Sequence, residues 1–198
     1  MIQLYYTPRT RASRPRWALE ELGVPYQLER IDLEKGEQRQ PAFLKINPMG
    51  QVPVLVDDGE VIIESGAICL YLADKFNQLG PTPQDRGKFY QWCFFLSGTM
   101  EPPLMDYFLH TTRFSESDRS AFVAEKGKAG VQKAVDFLET HLQDRQFLLG
   151  DRFTMADILV GGSLSWIATM DFLEGREALL RYVGQLRQRP AFVRANAD

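Results

Sequence analysis

Val52-Pro53-Val54-Leu55-Val56-Asp57-Asp58-Gly59-Glu60-Val61-Ile62-Ile63-Glu64-Ser65 decides the fold. Val52 to Val56 is rich in β-branched residues and reads as a strand. Asp57-Asp58-Gly59 is a tight turn, and Val61 to Ile63 is the returning strand of a hairpin. Ser65 then opens a helix that runs to about Phe76. A proline at a strand entry donates no ladder bond, so Pro53 belongs at an edge or a strand start. A cis Val52–Pro53 bond would turn the Val52 N–H and C=O outward as an unpaired strand edge, ready for an extended peptide. Glu64-Ser65 lies eleven residues beyond Pro53, at the expected N-terminus of the helix. Free N–H groups and the helix dipole favour a carboxylate there, and the Ser65 hydroxyl adds a donor. Ser65 also reads simply as an N-cap. A strand edge beside a carboxylate pocket describes a site for a small, extended, acidic peptide.

Working back from this hairpin, Ile2 to Tyr6 is a strand and Thr7 to Ala12 a polar, Arg-rich loop. Ser13 reads as an N-cap, with Pro15 in the first turn, for a helix to Leu22. Gly23 and Pro25 end that helix, and Tyr26 to Leu33 is a second strand. The order is βαβ, a connector over 35–45, then ββα. The first two strands should be parallel, with a right-handed crossover.

Working forward, the chain changes character at Leu79-Gly80-Pro81-Thr82-Pro83, a Pro/Gly stretch suited to a linker. Everything long after it reads as helix. Asp85 caps a helix through Trp92 and Phe95 toward Phe108, with a kink or break expected at Pro102-Pro103. A second starts at Ser117, with Arg119 onward, and reaches His141, and a third runs from Thr154 to Thr169. The last spans Leu179 to Gln188 and is stopped by Pro190. The expected organisation is an α/β domain over 1–78, a linker over 79–84 and an all-α helical bundle over 85–198.

Composition narrows the function classes. With 44% hydrophobic and 25% charged residues the chain is ordinary globular material. Lys plus Arg is 23 and Asp plus Glu 26, a formal net charge of −3, so a general nucleic-acid role is not expected. Cys69 and Cys93 cannot form a disulfide framework, and they read as reduced core thiols of a cytoplasmic protein. His110 and His141 are too far apart for a zinc motif, so no metal is expected. The first residues alternate as a strand, so no signal peptide is expected. No apolar stretch reaches about 18 residues, so no membrane span is expected.

Leu4-Tyr5-Tyr6-Thr7-Pro8, Ala18-Leu19-Glu20-Glu21-Leu22, Asn47-Pro48 through Pro53 and Glu64-Ser65-Gly66-Ala67-Ile68 together resemble the bacterial cytosolic glutathione S-transferases. Gly150-Asp151-Arg152-Phe153-Thr154-Met155-Ala156-Asp157-Ile158 resembles that family's buried capping box, in which Thr154 and Asp157 satisfy the first turn of a core helix. Arg189-Pro190-Ala191-Phe192 resembles its C-terminal pattern. The resemblance implies a thioredoxin-like first domain, a helical second domain, a homodimer and a glutathione site along the domain cleft. On it, Val52 pairs with the cysteinyl backbone of glutathione, Pro53 is cis, and Glu64 and Ser65 hold the γ-glutamyl end. Gln51, and Gln38 or Arg39, lie where the family places contacts to the glycine carboxylate. Arg39 is the better chemical match, because a guanidinium fits a carboxylate fork.

The implied chemistry needs a thiolate. A thiol near pKa 8.5 is only about 3% ionised at pH 7, and lowering it by about two units takes roughly 2.7 kcal/mol of selective stabilisation. Family members use Tyr, Ser or Cys for this contact. Thr10 falls where serine-type members carry their serine, and Arg11 where cysteine-type members carry their cysteine. The loop therefore reads as serine/threonine-type, with Arg11 as a nearby positive charge. Ser13 is the second hydroxyl, and Tyr5 and Tyr6 match the tyrosine-type position only approximately. Met100, Met105, Tyr107, Phe108 and His110 are candidates for the electrophile pocket. The implied activity is a glutathione transferase, conjugating glutathione to small hydrophobic electrophiles or using it for reduction. The rival is a non-catalytic module that keeps the scaffold for glutathione or protein binding.

Overall fold

The computed structural model describes residues 1–198. Strands β1 (Ile2–Tyr6), β2 (Tyr26–Arg30), β3 (Val54–Asp57) and β4 (Glu60–Ile63) form one sheet in the order β2-β1-β3-β4. The β1/β2 pair is parallel and joined through α1 (Ser13–Leu22), while β3 lies antiparallel to both β1 and β4. The short α2 (Pro41–Leu44) lies between β2 and β3, and α3 (Ser65–Phe76) follows β4. Alternation along β1 buries Ile2, Leu4 and Tyr6, while Tyr5 meets Phe43 of α2 edge-on, ring centres 5.9 Å apart. Trp17, Leu19, Val54, Leu55, Ile68 and Leu72 complete this core.

β2 stops at Arg30 because Asp32 turns the chain: its carboxylate takes the N–H groups of Glu34 and Lys35. α1 starts without a side-chain cap, at Ala12, so Ser13 is not the N-cap the sequence suggests. Asp57, buried at the end of β3, accepts from Tyr71 and pairs with Lys75, which ties α3 to the sheet.

The remaining helices are α4 (Arg86–Phe95), α5 (Glu101–Phe108), α6 (Ala121–Leu142), α7 (Met155–Ile167), α8 (Glu177–Arg187) and α9 (Pro190–Ala195). Asp85 occupies the N-cap position of α4, but its carboxylate reaches back to the Thr82 N–H and to Arg152. At the expected Pro102-Pro103 kink or break, the helical chain does not break but changes its hydrogen-bond pattern. A π-helical turn over Leu96–Met100 widens the helix ahead of the two prolines, which then occupy the first turn of α5. A π-helical turn is one of the features that let a helix bend around residues that cannot donate to the ladder. α6 begins at Ala121, with Ser120 capping the Val123 N–H at 3.3 Å, later than the Ser117 start expected. α7 carries the capping box: Asp157 accepts from the Thr154 N–H and hydroxyl, the Leu148 N–H and the Tyr182 hydroxyl. Pro190 does not end the helical region but opens α9.

The chain divides into two compact units, one of residues 1–80 with 187–198 and one of 81–186. α9 therefore belongs with the sheet. Phe192 meets Trp17 edge-on at 4.9 Å, Arg189 grips Glu21 with two nitrogens, and Arg194 pairs with Glu20.

Candidate functional site

The strand registers bring three loops of the sheet unit to one end. Val54 faces Ile63 across β3/β4 and faces Tyr5 across β1/β3. Beyond those pairs the ladders end, with the C-terminal ends of β1 and β4 beside the N-terminal end of β3. The loop after β1, the approach to β3 and the N-terminus of α3 therefore leave the sheet at the same end.

Val52 lies two residues ahead of β3, outside its ladder, and the Val52–Pro53 bond is cis. A buried Asn47 shapes the approach. Its amide donates to the Gln51 carbonyl at 2.8 Å, and its side-chain oxygen accepts from the Met49 N–H. Gly50 has φ +62, and a β-carbon there would meet the Gln38 carbonyl at 3.0 Å. That close approach seats the 3₁₀ turn Glu37–Arg39 against Gly50 and Gln51. Arg39 is exposed, whereas Gln38 is half-buried with no partner for its Oε1.

Glu64 precedes α3 with φ 71, a region that a non-glycine side chain enters only at a cost of order 1–3 kcal/mol. Its carbonyl accepts the first helical N–H, from Ile68 at 2.9 Å. Glu64, not Ser65, holds the N-cap position. Ser65 is buried at the first helical position and accepts at 3.2 Å from the guanidinium of Arg14, itself buried. Because its oxygen accepts there, the Ser65 proton is directed to a second acceptor. A positive neighbour strengthens it as a donor.

The thiol-loop residues are engaged with the backbone. Thr10 Oγ1 donates to the Thr7 carbonyl at 2.7 Å and accepts from the Ala12 N–H at 3.2 Å. The Ser13 hydroxyl donates to the Thr10 carbonyl at 3.0 Å. Arg11 is exposed. Tyr6 is spent elsewhere, donating to Asp198.

The five residues expected at an electrophile pocket all lie in the helical unit. Met100 is fully buried core. Tyr107 packs edge-on against Phe172, Phe108 against Trp166 and His110 against Phe114. His110 Nδ1 also accepts from the Ser120 N–H. Met105 is half-buried.

Sequence reasoning singled out Val52, Pro53, Glu64 and Ser65 but not the buried Arg14 beside Ser65 or the structural part of Asn47. Arg14 acts through a partner 51 positions away that no local pattern signals. The Asn47 bonds to Met49 and Gln51 are local, and an Asn before a Pro-Met-Gly turn could have suggested them.

Comparison with known proteins defines the class. The glutathione S-transferase N-terminal domain matches residues 2–74, and the glutathione S-transferase C-terminal domain matches residues 121–185. The chain belongs to the glutathione S-transferase family. It has the thioredoxin-like N-terminal domain with a four-stranded mixed sheet and the helical C-terminal domain of that family. It is 36% identical over 150 residues to glutathione S-transferase F9 of Arabidopsis thaliana, covering 71% of this chain and 68% of that one. It is 29% identical over 200 residues to the disulfide-bond oxidoreductase YfcG of Escherichia coli, covering 96% and 92%. A glutathione transferase family member from Pseudomonas fluorescens, solved with two glutathione molecules bound, superposes with a TM-score of 0.85. It is 28% identical, with 98% of this chain and 92% of that one covered.

Proposed function

We propose that this protein is a glutathione transferase that holds glutathione extended along the open end of the sheet and activates its thiol. The observations that support the reading are the cis Val52–Pro53 bond ahead of the β3 ladder and the Ser65–Arg14 pair at the N-terminus of α3. In this reading the Val52 backbone pairs with the cysteinyl residue, with Pro53 setting the turn into β3. Glu64 takes the γ-glutamyl ammonium, and Ser65 with the first N–H groups of α3 takes its carboxylate. Gln38, Arg39 and Gln51 serve the glycine carboxylate, Arg39 from the solvent side and Gln38 through its half-buried amide.

Thr10 is the proposed thiolate donor, making the loop serine/threonine-type. To donate, its O–H turns from the Thr7 carbonyl to the sulfur. The Ala12 N–H that it accepts from stays in place and polarises it. Arg11 adds positive potential, and Ser13 holds the Thr10 carbonyl. The thiolate then attacks a small hydrophobic electrophile, forming the carbon–sulfur bond as the leaving group departs. Glutathione is the co-substrate, and no group of His, Cys, Asp and Glu in the fold is arranged to hold a metal ion.

A second reading follows from the same loop. With both hydroxyl protons spent on backbone carbonyls, the chain could bind glutathione without turnover, as a binding or protein-interaction module. Calorimetry with glutathione, followed by conjugation of a chromogenic aryl halide and reduction of a glutathione mixed disulfide, separates these readings. Binding with neither turnover supports the module, and absence of binding removes both. The pH–rate profile of Thr10→Ala and Thr10→Val tests the donor: an unchanged profile in both rejects Thr10.

We further propose a cytoplasmic homodimer. Met49, Val61 and Ile63 in the sheet unit and Tyr90 and Phe94 in the helical unit are exposed apolar side chains that a second copy would cover. Light scattering should give twice the chain mass, and Phe94→Lys should lower it.

A further inference from the structure

The sheet unit holds a polar cavity apart from the residues assigned to glutathione. It has a volume of about 280 Å³ and is walled by residues 6–9, Ser13 and Arg16 of α1, and residues 195–198. Of the candidate site residues, only Ser13 reaches it.

One wall is built like a carboxylate receptor. The Arg16 guanidinium lies over the Tyr6 ring, 5.0 Å from its centre, and the Arg16 side chain is only 11% exposed. The side-chain carboxylate of Asp198 bridges Arg16 Nη1 and the Tyr6 hydroxyl. A planar guanidinium and a phenol that donates are the groups that recognise a carboxylate, and the chain supplies one of its own.

Asp198 does not satisfy that wall. It engages Nη1, while Arg16 Nε is buried with no acceptor. A buried N–H left unpaired is costly, and a guanidinium binds a carboxylate best through two parallel N–H bonds. A free carboxylate is not tethered and can take Nε together with a terminal nitrogen. Arg9 adds a second cation at the cavity wall, with an exposed side chain and a left-handed backbone, φ 58. For a non-glycine residue that conformation is uncommon and persists only when its surroundings hold it.

We propose that this cavity is a second ligand site, which takes a small organic carboxylate in exchange for the Asp198 side chain. Asp198 acts as a tethered competitor, so the apparent affinity is reduced by the fraction of time the site is closed.

Succinate is the probe, with succinamide as its neutral counterpart and inorganic phosphate as a competing anion. Titrations use the full chain with saturating glutathione present, so that carboxylate sites on the proposed glutathione surface are filled. They are repeated without glutathione, so that a failure of the glutathione reading leaves this test intact. Asp198→Asn should bind succinate about tenfold more tightly than the parent, because the competitor loses its charge. Arg16→Gln should abolish binding in both backgrounds, and the Arg16 Nε–H resonance should move downfield with succinate but not succinamide. If Arg16→Gln fails to fold, Tyr6→Phe, which removes one donor, should still weaken succinate severalfold. Equal affinity of Asp198→Asn and the parent, or an unmoved Nε–H resonance, would overturn the proposal. Tighter binding of phosphate than succinate would overturn the assigned ligand class.

Discussion

Arg14 and Ser65 are separated by 51 positions in the chain, and the candidate site depends on their contact. Ser65 accepts from the guanidinium and keeps its own proton for a ligand. Ser65→Ala removes that donor and one of the acceptors of Arg14. We expect glutathione affinity to fall by about 1.5–3 kcal/mol, read by calorimetry. An unchanged dissociation constant would reject the assigned pocket. Ser65 was legible because a serine after a strand and before an apolar helix marks a helix start. Arg14 was not: in sequence it is one of four arginines among residues 9–16, which read alike as solvated charge. Only the packing of α1 on α3 buries this one. His141 belongs to the same scale. Its ring lies 4.5 Å from that of Trp92, and Nε2 meets the Leu148 carbonyl at 2.9 Å. Burial lowers its pKa from the ordinary 6.5, helped by Arg145 and Lys88 and opposed by the Leu148 bond. The fold thus prefers the neutral ring. Its stabilisation is full above about pH 6.5 and is lost as pH falls through the lowered value. Melting temperature against pH should decline over that window, and less so in His141→Gln.

Among the elements, local pattern and observed structure part company where a backbone makes a close approach. The hairpin, the βαβ unit and most helices follow from alternation, turn residues and apolar stripes. The antiparallel β1/β3 pairing that sets the site's geometry does not, because it joins segments some fifty residues apart. Pro102-Pro103 signals a break by its own chemistry, yet the π-helical turn ahead of it absorbs the missing donors. The α5/α6 contact is the sharper case. A β-carbon on Gly127 would lie 2.7 Å from the Pro103 carbonyl and 2.7 Å from the Tyr107 nitrogen. Both are backbone atoms and cannot swing aside. Gly127→Ala would ordinarily favour a helix by about 1 kcal/mol. Here the two helices must separate, and we expect a net loss of about 1–3 kcal/mol. Denaturant unfolding should show a lower midpoint at constant slope. A stabilised variant would mean that the helices do not approach as described.

For the whole molecule, the decisive fact is that the chain returns. Residues 187–198 rejoin the unit formed by residues 1–80, so the helical unit is an insertion within the sheet unit. A linker near residue 80 is visible as a run of Pro and Gly, but the return crosses at the end of α8 with no comparable signal. Pro190 reads as the stop of the last helix; α8 does end just before it, at Arg187, but Pro190 also opens a further helix. The consequence is that α1 depends on a segment far away in sequence. Phe192 covers Trp17, Arg189 holds Glu21 by two bonds, and Arg194 holds Glu20. Phe192 is half-buried, so truncating it removes part of an aromatic contact rather than opening a closed cavity. Phe192→Ala should destabilise by about 2–3 kcal/mol, toward the low end of the range for aromatic truncation. The change should appear as a lower unfolding midpoint together with red-shifted Trp17 emission, read against a Trp92→Phe, Trp166→Phe background. Arg189→Ala in that background should shift stability and also alter the emission, because the Trp17 indole N–H donates at 2.8 Å to the same Glu21 oxygen that Arg189 grips. If Phe192→Ala leaves both midpoint and emission unchanged, α9 does not cover α1 in solution. The residue 195–198 wall of the carboxylate cavity would then be lost with it.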